Sequence, residues 1–247
     1  MKNILLETDK LFSKLELESV VMYPNDIGNA CVSCHTNDDL AYVFVQSKKI
    51  DYTYKEFAFR NWSSIHSVIS SFWGNMEELK ISVFMDKNDY PQRLNISNNR
   101  INMNYYLQNY SFISNQQDLL NVYKKKKFQL GNIQDGFLGL TQDIVKDINR
   151  MSSLTLEKQF YLKTSVNGTY VVFGDENQTV DNGSIKVSDE SLLNVDKSFN
   201  FNIDYFLKIY SALCGNDFKC RFLKDKIVMT SETDEFLKVA IIRGVSV

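Results

Sequence analysis

The chain has 247 residues, of which 44% are apolar and 23% are charged, and its formal net charge is −2. This apolar content is sufficient for the core of one large domain or of two domains of ordinary size. The balanced charge argues against a disordered chain and against a nucleic-acid-binding protein that is basic over its whole surface.

The N-terminal sequence MKNILLETDK interrupts its short apolar patch with Glu7 and Asp9, unlike a signal peptide. No segment approaches the roughly 18 apolar residues of a transmembrane helix. We therefore expect a cytoplasmic protein without membrane contact, whose four cysteines are free thiols.

Four segments carry apolar residues at helical spacing. Residues with good N-cap chemistry precede three of them, namely Asn61, Asp135 and Asn202. The predicted helices cover residues 4–16, 61–72, about 136–150 and about 203–213.

The spacing Cys31-x-x-Cys34-His35, between the first two helices, matches a covalent haem attachment motif. Such attachment normally requires an export signal, and the N-terminal sequence does not read as one. Residues 29–36 also read as a strand, on which Cys31 and Cys34 face opposite sides of the sheet. A zinc site completed by Cys214 and Cys220 is the alternative, but that pair lacks a recognised ligand spacing. The pattern favours a structural strand, and we expect no metal or cofactor.

Most other segments alternate like strands, with turn signals at hairpin spacing. Residues 1–113 read as helix, about four strands, helix and three strands, and residues 127–247 repeat that order. The order predicts an α+β fold with a duplicated β-rich domain. We assign residues 1–113 to the first domain, 114–126 to a connector and 127–247 to the second domain.

Three segments carry a family resemblance. One reads as a helix, three strands and an apolar tail, and it consists of FNFNIDYFLKIYSAL followed by FKCRFLKDKIVMTSETDEFLKVAIIRG. Another reads as a strand and a helix, EFAFRNWSSIHSVISSFW. The third reads as the helix that opens the second domain, KKFQLGNIQDGFLGLTQDIVKDI. Through them the chain resembles DNA sliding clamps, the polymerase processivity factors of T4-like phages, which share their topology with proliferating cell nuclear antigen.

The resemblance implies a closed ring of six domains built from three copies, with edge strands paired between copies. The helices would line the hole and the sheets would form the outer wall. It also implies a non-enzymatic protein of viral DNA replication in a bacteriophage-infected cell, whose partners are duplex DNA of any sequence, a DNA polymerase and a clamp loader.

A clamp needs a few cations facing DNA phosphates and no groups that read bases. Lys10 and Lys14, and Lys146 and Arg150, form i, i+4 pairs at matching places in the two repeats, although Glu7, Asp9, Asp143 and Asp147 weaken the positive field. The alternative for each cation is a solvated helix face. The predicted DNA-facing residues are Lys2, Lys10, Lys14, His66, Lys146, Arg150 and Lys208.

Apolar residues of the connector and the C-terminus would form the groove in which clamps bind partner peptides. Core packing is the alternative, and it is favoured for Ile241 and Ile242. For the run Lys124–Lys127, a solvated lead into the next strand is favoured over DNA contact. The predicted groove residues are Leu119, Leu120, Val122, Tyr123, Ile241, Ile242, Val245 and Val247.

No catalytic motif competes with this interpretation: the two histidines do not form an HExxH motif, and the chain has no P-loop or nucleophile elbow. Three alternative functions stay open. One is a monomeric processivity subunit of the same fold, against which the low positive charge argues. Another is a non-enzymatic phage structural or assembly protein. The third is an enzyme whose site carries no recognised motif.

Overall fold

The structure is a computed structural model. It describes residues 1–25, 27–72, 76–109, 137–138, 140–174, 181–189, 199–215, 218–223 and 225–246. The predicted connector 114–126 lies outside these ranges, so the domain boundaries stay a prediction.

Two compact units make up the described chain. The first contains the described residues up to Asn37, those from Val43 to Asn109, and Thr233–Lys238. The second contains Asp38–Tyr42, the described residues from Phe137 to Glu232, and those from Val239 onward.

The first half of the chain has two helices and eight strands among its described residues. They are α1 (Lys2–Phe12), β1 (Leu17–Pro24), β2 (Asn29–Thr36), β3 (Ala41–Asp51), β4 (Phe57–Phe59), α2 (Trp62–Ser71), β5 (Lys80–Met85), β6 (Pro91–Ser97), β7 (Asn102–Tyr106) and β8 (Gln108–Asn109), with a 3-10 turn at Met76–Glu78.

The second half has the same kinds of element. They are β9 (Phe137–Leu138), α3 (Gln142–Thr155), β10 (Gln159–Ser165), β11 (Gly168–Phe173), β12 (Gly183–Ser188), β13 (Phe199–Asn202), α4 (Ile203–Leu213), β14 (Phe218–Phe222), β15 (Lys226–Glu232), β16 (Phe236–Arg243) and β17 (Val245–Ser246).

The strand connectivity occurs twice. Five strands of the first half lie in the order β3-β2-β1-β4-β8, and five of the second lie in the order β12-β11-β10-β13-β17. The remaining strands form the antiparallel runs β5-β6-β7 and β14-β15-β16, and β9 pairs with β14. The predicted duplication of an α+β unit with two helices and antiparallel sheets is therefore confirmed.

Aromatic residues fill the core of each unit. In the first, Trp62 of α2 lies 5.3 Å from Phe12 of α1 and 5.1 Å from Phe59 of β4, measured between ring centroids. In the second, Phe160 contacts Phe206 at 5.5 Å and Phe201 at 5.7 Å. Each such buried side chain contributes about 1.5–3 kcal/mol to stability, so these clusters hold the helices onto the sheets.

Two helix predictions are confirmed with their caps. The side chain of Asn61 accepts a hydrogen bond from the Ser63 amide at 2.9 Å and begins α2. That of Asn202 accepts from the Tyr205 amide at 3.0 Å and begins α4. Both satisfy amides that lack a partner within the helix.

The first helix ends earlier than predicted, at Phe12 rather than at residue 16. The Ser13 hydroxyl donates to the Asp9 carbonyl at 2.6 Å, where the chain begins to turn toward β1. Lys14 therefore lies beyond the helix, and the predicted i, i+4 pair with Lys10 does not form on one helix.

The predicted start of the third helix at residue 136, with Asp135 as cap, is wrong. Phe137 and Leu138 form β9, which pairs with Arg221 and Cys220 of β14. The helix begins at Gln142 instead, where the Thr141 hydroxyl accepts from the Ile144 amide at 3.3 Å. Pairing with a distant strand outweighs the local apolar spacing at residues 137–140.

The segment with the haem-like spacing is strand β2, which pairs with β1 in the core. Cys31 and Cys34 are fully buried thiols, and burial raises the pKa of Cys34 well above its ordinary value. His35 Nδ1 lies 3.0 Å from the Thr36 carbonyl oxygen. Within the described part of the chain, no group of three potential metal ligands comes together.

Candidate functional site

Each unit pairs two helices, α1 with α2 and α3 with α4, and these helices carry most of the predicted DNA-facing cations. Lys10 is exposed and forms an ion pair with Glu7, three residues earlier on α1. Lys2 lies half-buried at the start of the helix, and Lys14 lies exposed in the turn that follows it.

Glu7 also forms an ion pair with a second lysine. Its Oε2 lies 2.6 Å from the Nζ of Lys238, on the part of β16 that belongs to the first unit, where only 12% of the Lys238 side chain is exposed. Burial raises the pKa of Glu7, but its hydrogen bonds to Lys10 and Lys238 and their charges outweigh that effect, so the pKa lies below the ordinary value. Glu7 is therefore both a surface partner and a structural group.

The second unit repeats the pairing of lysine with carboxylate. Lys146 Nζ lies 3.1 Å from Asp143 Oδ1 on α3, and Lys208 Nζ lies 2.7 Å from Asp204 Oδ2 on α4. The side chains of Lys146, Asp143 and Asp204 are well exposed, and that of Lys208 is 40% exposed. Arg150, also exposed on α3, has no ion-pair partner in the described part of the chain. Asp204 and Lys208 are four residues apart, a spacing that is typical of an ion pair on a helix. The sequence analysis did not predict this ion pair.

His66 on α2 differs from the other predicted cations because its partner is buried. Its Nδ1 lies 2.9 Å from Asp9 Oδ2, and the other oxygen of Asp9 accepts a hydrogen bond from Trp62 Nε1 at 3.2 Å. Asp9 is only 3% exposed. This carboxylate therefore links α1 to α2 and is not part of the solvated surface that the sequence suggested.

The predicted peptide groove lies largely outside the described residues, which include neither Leu119, Leu120, Val122, Tyr123 and Lys124–Lys127 nor Val247. Ile241 and Ile242 are buried in β16, at 3% and 0% exposure, which favours their core-packing alternative. Val245 in β17 is 42% exposed. Participation in a groove stays a prediction for Val245.

Among the described residues, the three sheets end at β8 and β9, at β12 and β17, and at β5 and β7. β7 is the last strand of β5-β6-β7, and β12 is the last strand of its five-stranded sheet. The Leu107 amide donates to the Gln92 carbonyl at 2.9 Å, on the side of β6. Because amides alternate along an antiparallel strand, those of Asn104 and Tyr106 point away from β6. The outer edge of β7 thus offers donors to a further strand.

No protein-family model and no curated protein sequence matches the chain. Solved structures do match. The chain aligns to A. fulgidus PCNA, in its complex with the C-terminal region of FEN-1, with a TM-score of 0.60 and 9% identity over 99% of this chain and 95% of that one.

Bacterial clamps also match. The H. pylori beta clamp bound to diflunisal aligns with a TM-score of 0.63 and 14% identity, and the beta subunit of Thermotoga maritima DNA polymerase III aligns with a TM-score of 0.62 and 10% identity. Each alignment covers all of this chain but only 64% of the bacterial chain. At such identities the likeness concerns the fold, and we conclude that this chain has the sliding-clamp fold.

Proposed function

We propose that this protein is a DNA sliding clamp, a non-enzymatic processivity factor of phage-type DNA replication. Three copies would form a ring around duplex DNA and tether a replicative DNA polymerase after a clamp loader places the ring. The observation that carries the proposal is the unit of two helices and two sheets, present twice in the chain and arranged with the sliding-clamp fold.

The duplicated connectivity suggests how copies would associate. In the first unit, the Lys48 amide of β3 donates to the Glu235 carbonyl beside β16 at 2.8 Å, and in the second the Arg243 amide donates to the Leu40 carbonyl at 2.7 Å. β3 is therefore a partner of β16. Their counterparts in the repeat are β12 and β7, and each is the last strand of its sheet among the residues that the structure describes.

Pairing of β7 in one copy with β12 in the next would cover both edges. Such an interface is head-to-tail, so it generates either a closed ring or an open filament. A ring of three copies has six repeats, which the sliding-clamp fold can close. The predicted domains 1–113 and 127–247 would then alternate around the ring.

The predicted cations, on the helices and in the turn after α1, would face the DNA phosphates and provide contacts that do not depend on sequence. The proposed DNA-facing set stays Lys2, Lys10, Lys14, His66, Lys146, Arg150 and Lys208. Polymerase and clamp-loader peptides would bind at the connector and at the C-terminal strand. In the part of the chain that the structure describes, no helix is long and apolar enough to span a membrane.

The mass of the protein in solution tests the proposal directly. Light scattering over a concentration series should give three times the 28.7 kDa of one chain. Asn104→Pro removes one outward-pointing amide of β7 and should shift the protein to monomers, because proline cannot donate to a ladder. Asn104→Ala is the matched control, since it retains that amide and should stay trimeric.

Circular dichroism must show that the proline variant remains folded. A wild-type mass of one or two chains at every concentration would contradict the ring. A folded proline variant with unchanged trimeric mass would instead contradict the proposed β7 edge.

A further inference from the structure

The proposed DNA-facing helices carry no net positive charge. α1 has two lysines and two carboxylates, α3 has one lysine, one arginine and two aspartates, and α4 has one lysine and one aspartate. α2 has only His66 as a titratable side chain. A surface selected only for affinity to phosphate would not balance its cations in this way.

The positive charges of these helices are not only matched in number by negative charges but also contact them directly in ion pairs. Lys10, Lys146 and Lys208 each have a carboxylate of the same helix in ion-pair contact, three or four residues earlier in the chain. The same arrangement therefore recurs on three helices in two units. A carboxylate on the N-terminal side of its lysine is also the favourable orientation for a pair on a helix.

We propose that Asp143 and Asp204 compete with the DNA phosphates for Lys146 and Lys208 of their own helices, so that these lysines bind DNA weakly. This inference rests on the proposed function and adds a role for the acidic partners. The carboxylates would keep the affinity low enough for the ring to move along the duplex.

The competition follows from the geometry. Each lysine amine already contacts an aspartate oxygen at 2.7–3.1 Å, so a phosphate must displace that oxygen to be bound with full strength. Exposed ion pairs are weak and screened by salt, so the displacement is reversible. A lysine held in this way also contributes less to the salt dependence of binding than one whose only neighbours are mobile anions.

Glu7 has a different status, although it pairs with Lys10. It also holds Lys238, whose amine is mostly buried, so its replacement would affect the fold as well as the surface. Asp143 and Asp204 are 87% and 67% exposed, and each forms its ion pair with the lysine of its own helix. They are the appropriate positions for a test.

A purely structural role for the aspartates predicts a different outcome. Both lie in the first turn of their helices, where a carboxylate stabilises the helix dipole. If that were their whole role, Asp143→Asn and Asp204→Asn would lower the melting temperature and leave the salt dependence of DNA binding unchanged.

The experiment compares two double variants of equal charge. D143N/D204N frees both lysines, whereas D147N/D225N removes two exposed carboxylates that contact no lysine among the described residues. Fluorescence anisotropy of a labelled duplex, titrated over a series of salt concentrations, gives the affinity and its salt slope. We expect D143N/D204N to bind several-fold more tightly than the control, with a salt slope steeper by about 0.9 for each added phosphate contact.

Equal affinities and slopes for the two double variants would overturn this inference. A third variant, K146A/K208A, separates that result from failure of the proposed function. If K146A/K208A binds more weakly than wild type while the two aspartate variants are alike, DNA binding stands and only the competitor role is lost. If DNA binding is insensitive to the lysines as well, the proposed DNA-facing surface is wrong, and the competitor role is wrong with it.

Discussion

At the scale of single residues, the contacts of Glu7 show how local and distant partners combine. Its ion pair with Lys10 follows from helical spacing in the sequence. Its contact with Lys238 depends on the fold, because those residues are far apart in the chain. A mostly buried amine without a counter-charge is costly, so Glu7 is expected to stabilise the first unit.

We predict that Glu7→Gln lowers the free energy of unfolding by about 2 kcal/mol at neutral pH. The pKa of Glu7 is depressed on folding, so its contribution is present above the ordinary value of 4.5 and is lost as the pH falls through the folded-state pKa. Urea denaturation over a pH series should therefore show the difference between wild type and variant closing in acid.

The control for this prediction is Glu235→Gln. Glu235 is exposed and lies 3.8 Å from Lys49, so its replacement should change stability by less than about 0.5 kcal/mol. A gap between wild type and Glu7→Gln that stays constant down to about pH 3 would show that ionisation of Glu7 does not stabilise the fold.

At the scale of secondary-structure elements, the hairpin of β10 and β11 depends on one glycine. Gly168 has φ +126°, and a Cβ built there would lie 2.2 Å from the Ser188 carbonyl oxygen of β12. That oxygen belongs to the backbone, so relief requires β12 to move. The edge that we propose as an interface is thus held close to β11 at this position.

We predict that Gly168→Ala lowers the free energy of unfolding by about 2–4 kcal/mol. Gly28→Ala is the matched control, since Gly28 also has positive φ (+83°) but a Cβ there meets no atom within 4 Å. It should cost only about 1–2 kcal/mol, from backbone strain. Equal losses in denaturant titrations of the two variants would rule out the close approach of β12.

At the scale of the whole molecule, function would depend on a weak positive surface spread over several helices. We predict that replacing Lys10, Lys14, Lys146 and Arg150 with alanine leaves the mass in solution unchanged and weakens duplex binding at low salt by at least about tenfold. Anisotropy titrations and light scattering check the two parts. A structural or assembly protein would show neither DNA binding nor an effect of the substitutions.

The matched control replaces four exposed lysines outside the predicted DNA-facing set, Lys80, Lys87, Lys163 and Lys219, with alanine. It removes the same charge and should retain most of the affinity. Equal loss in both variants would indicate that net charge, and not the helix surface, determines DNA binding.

The sequence alone determined the features that depend on neighbouring residues. Periodicity and caps located α2 and α4, the order of elements revealed the duplication, and alternation identified the Cys31–Cys34 segment as a strand. These features depend on interactions within a few residues, so they can be read without the fold. Asp143 and Lys146 were also recognisable as neighbours, because they are three residues apart on one helix.

The tertiary structure decided the features that depend on distant partners. Pairing with β14 makes Phe137 and Leu138 a strand, and so moves the start of α3 to Gln142. Packing of α1 against α2 buries Asp9 between Trp62 and His66. The terminal positions of β7 and β12 follow from the strand order of the described residues. The physical reason is that burial and strand pairing depend on residues brought together by folding, whose separation along the chain leaves no local pattern.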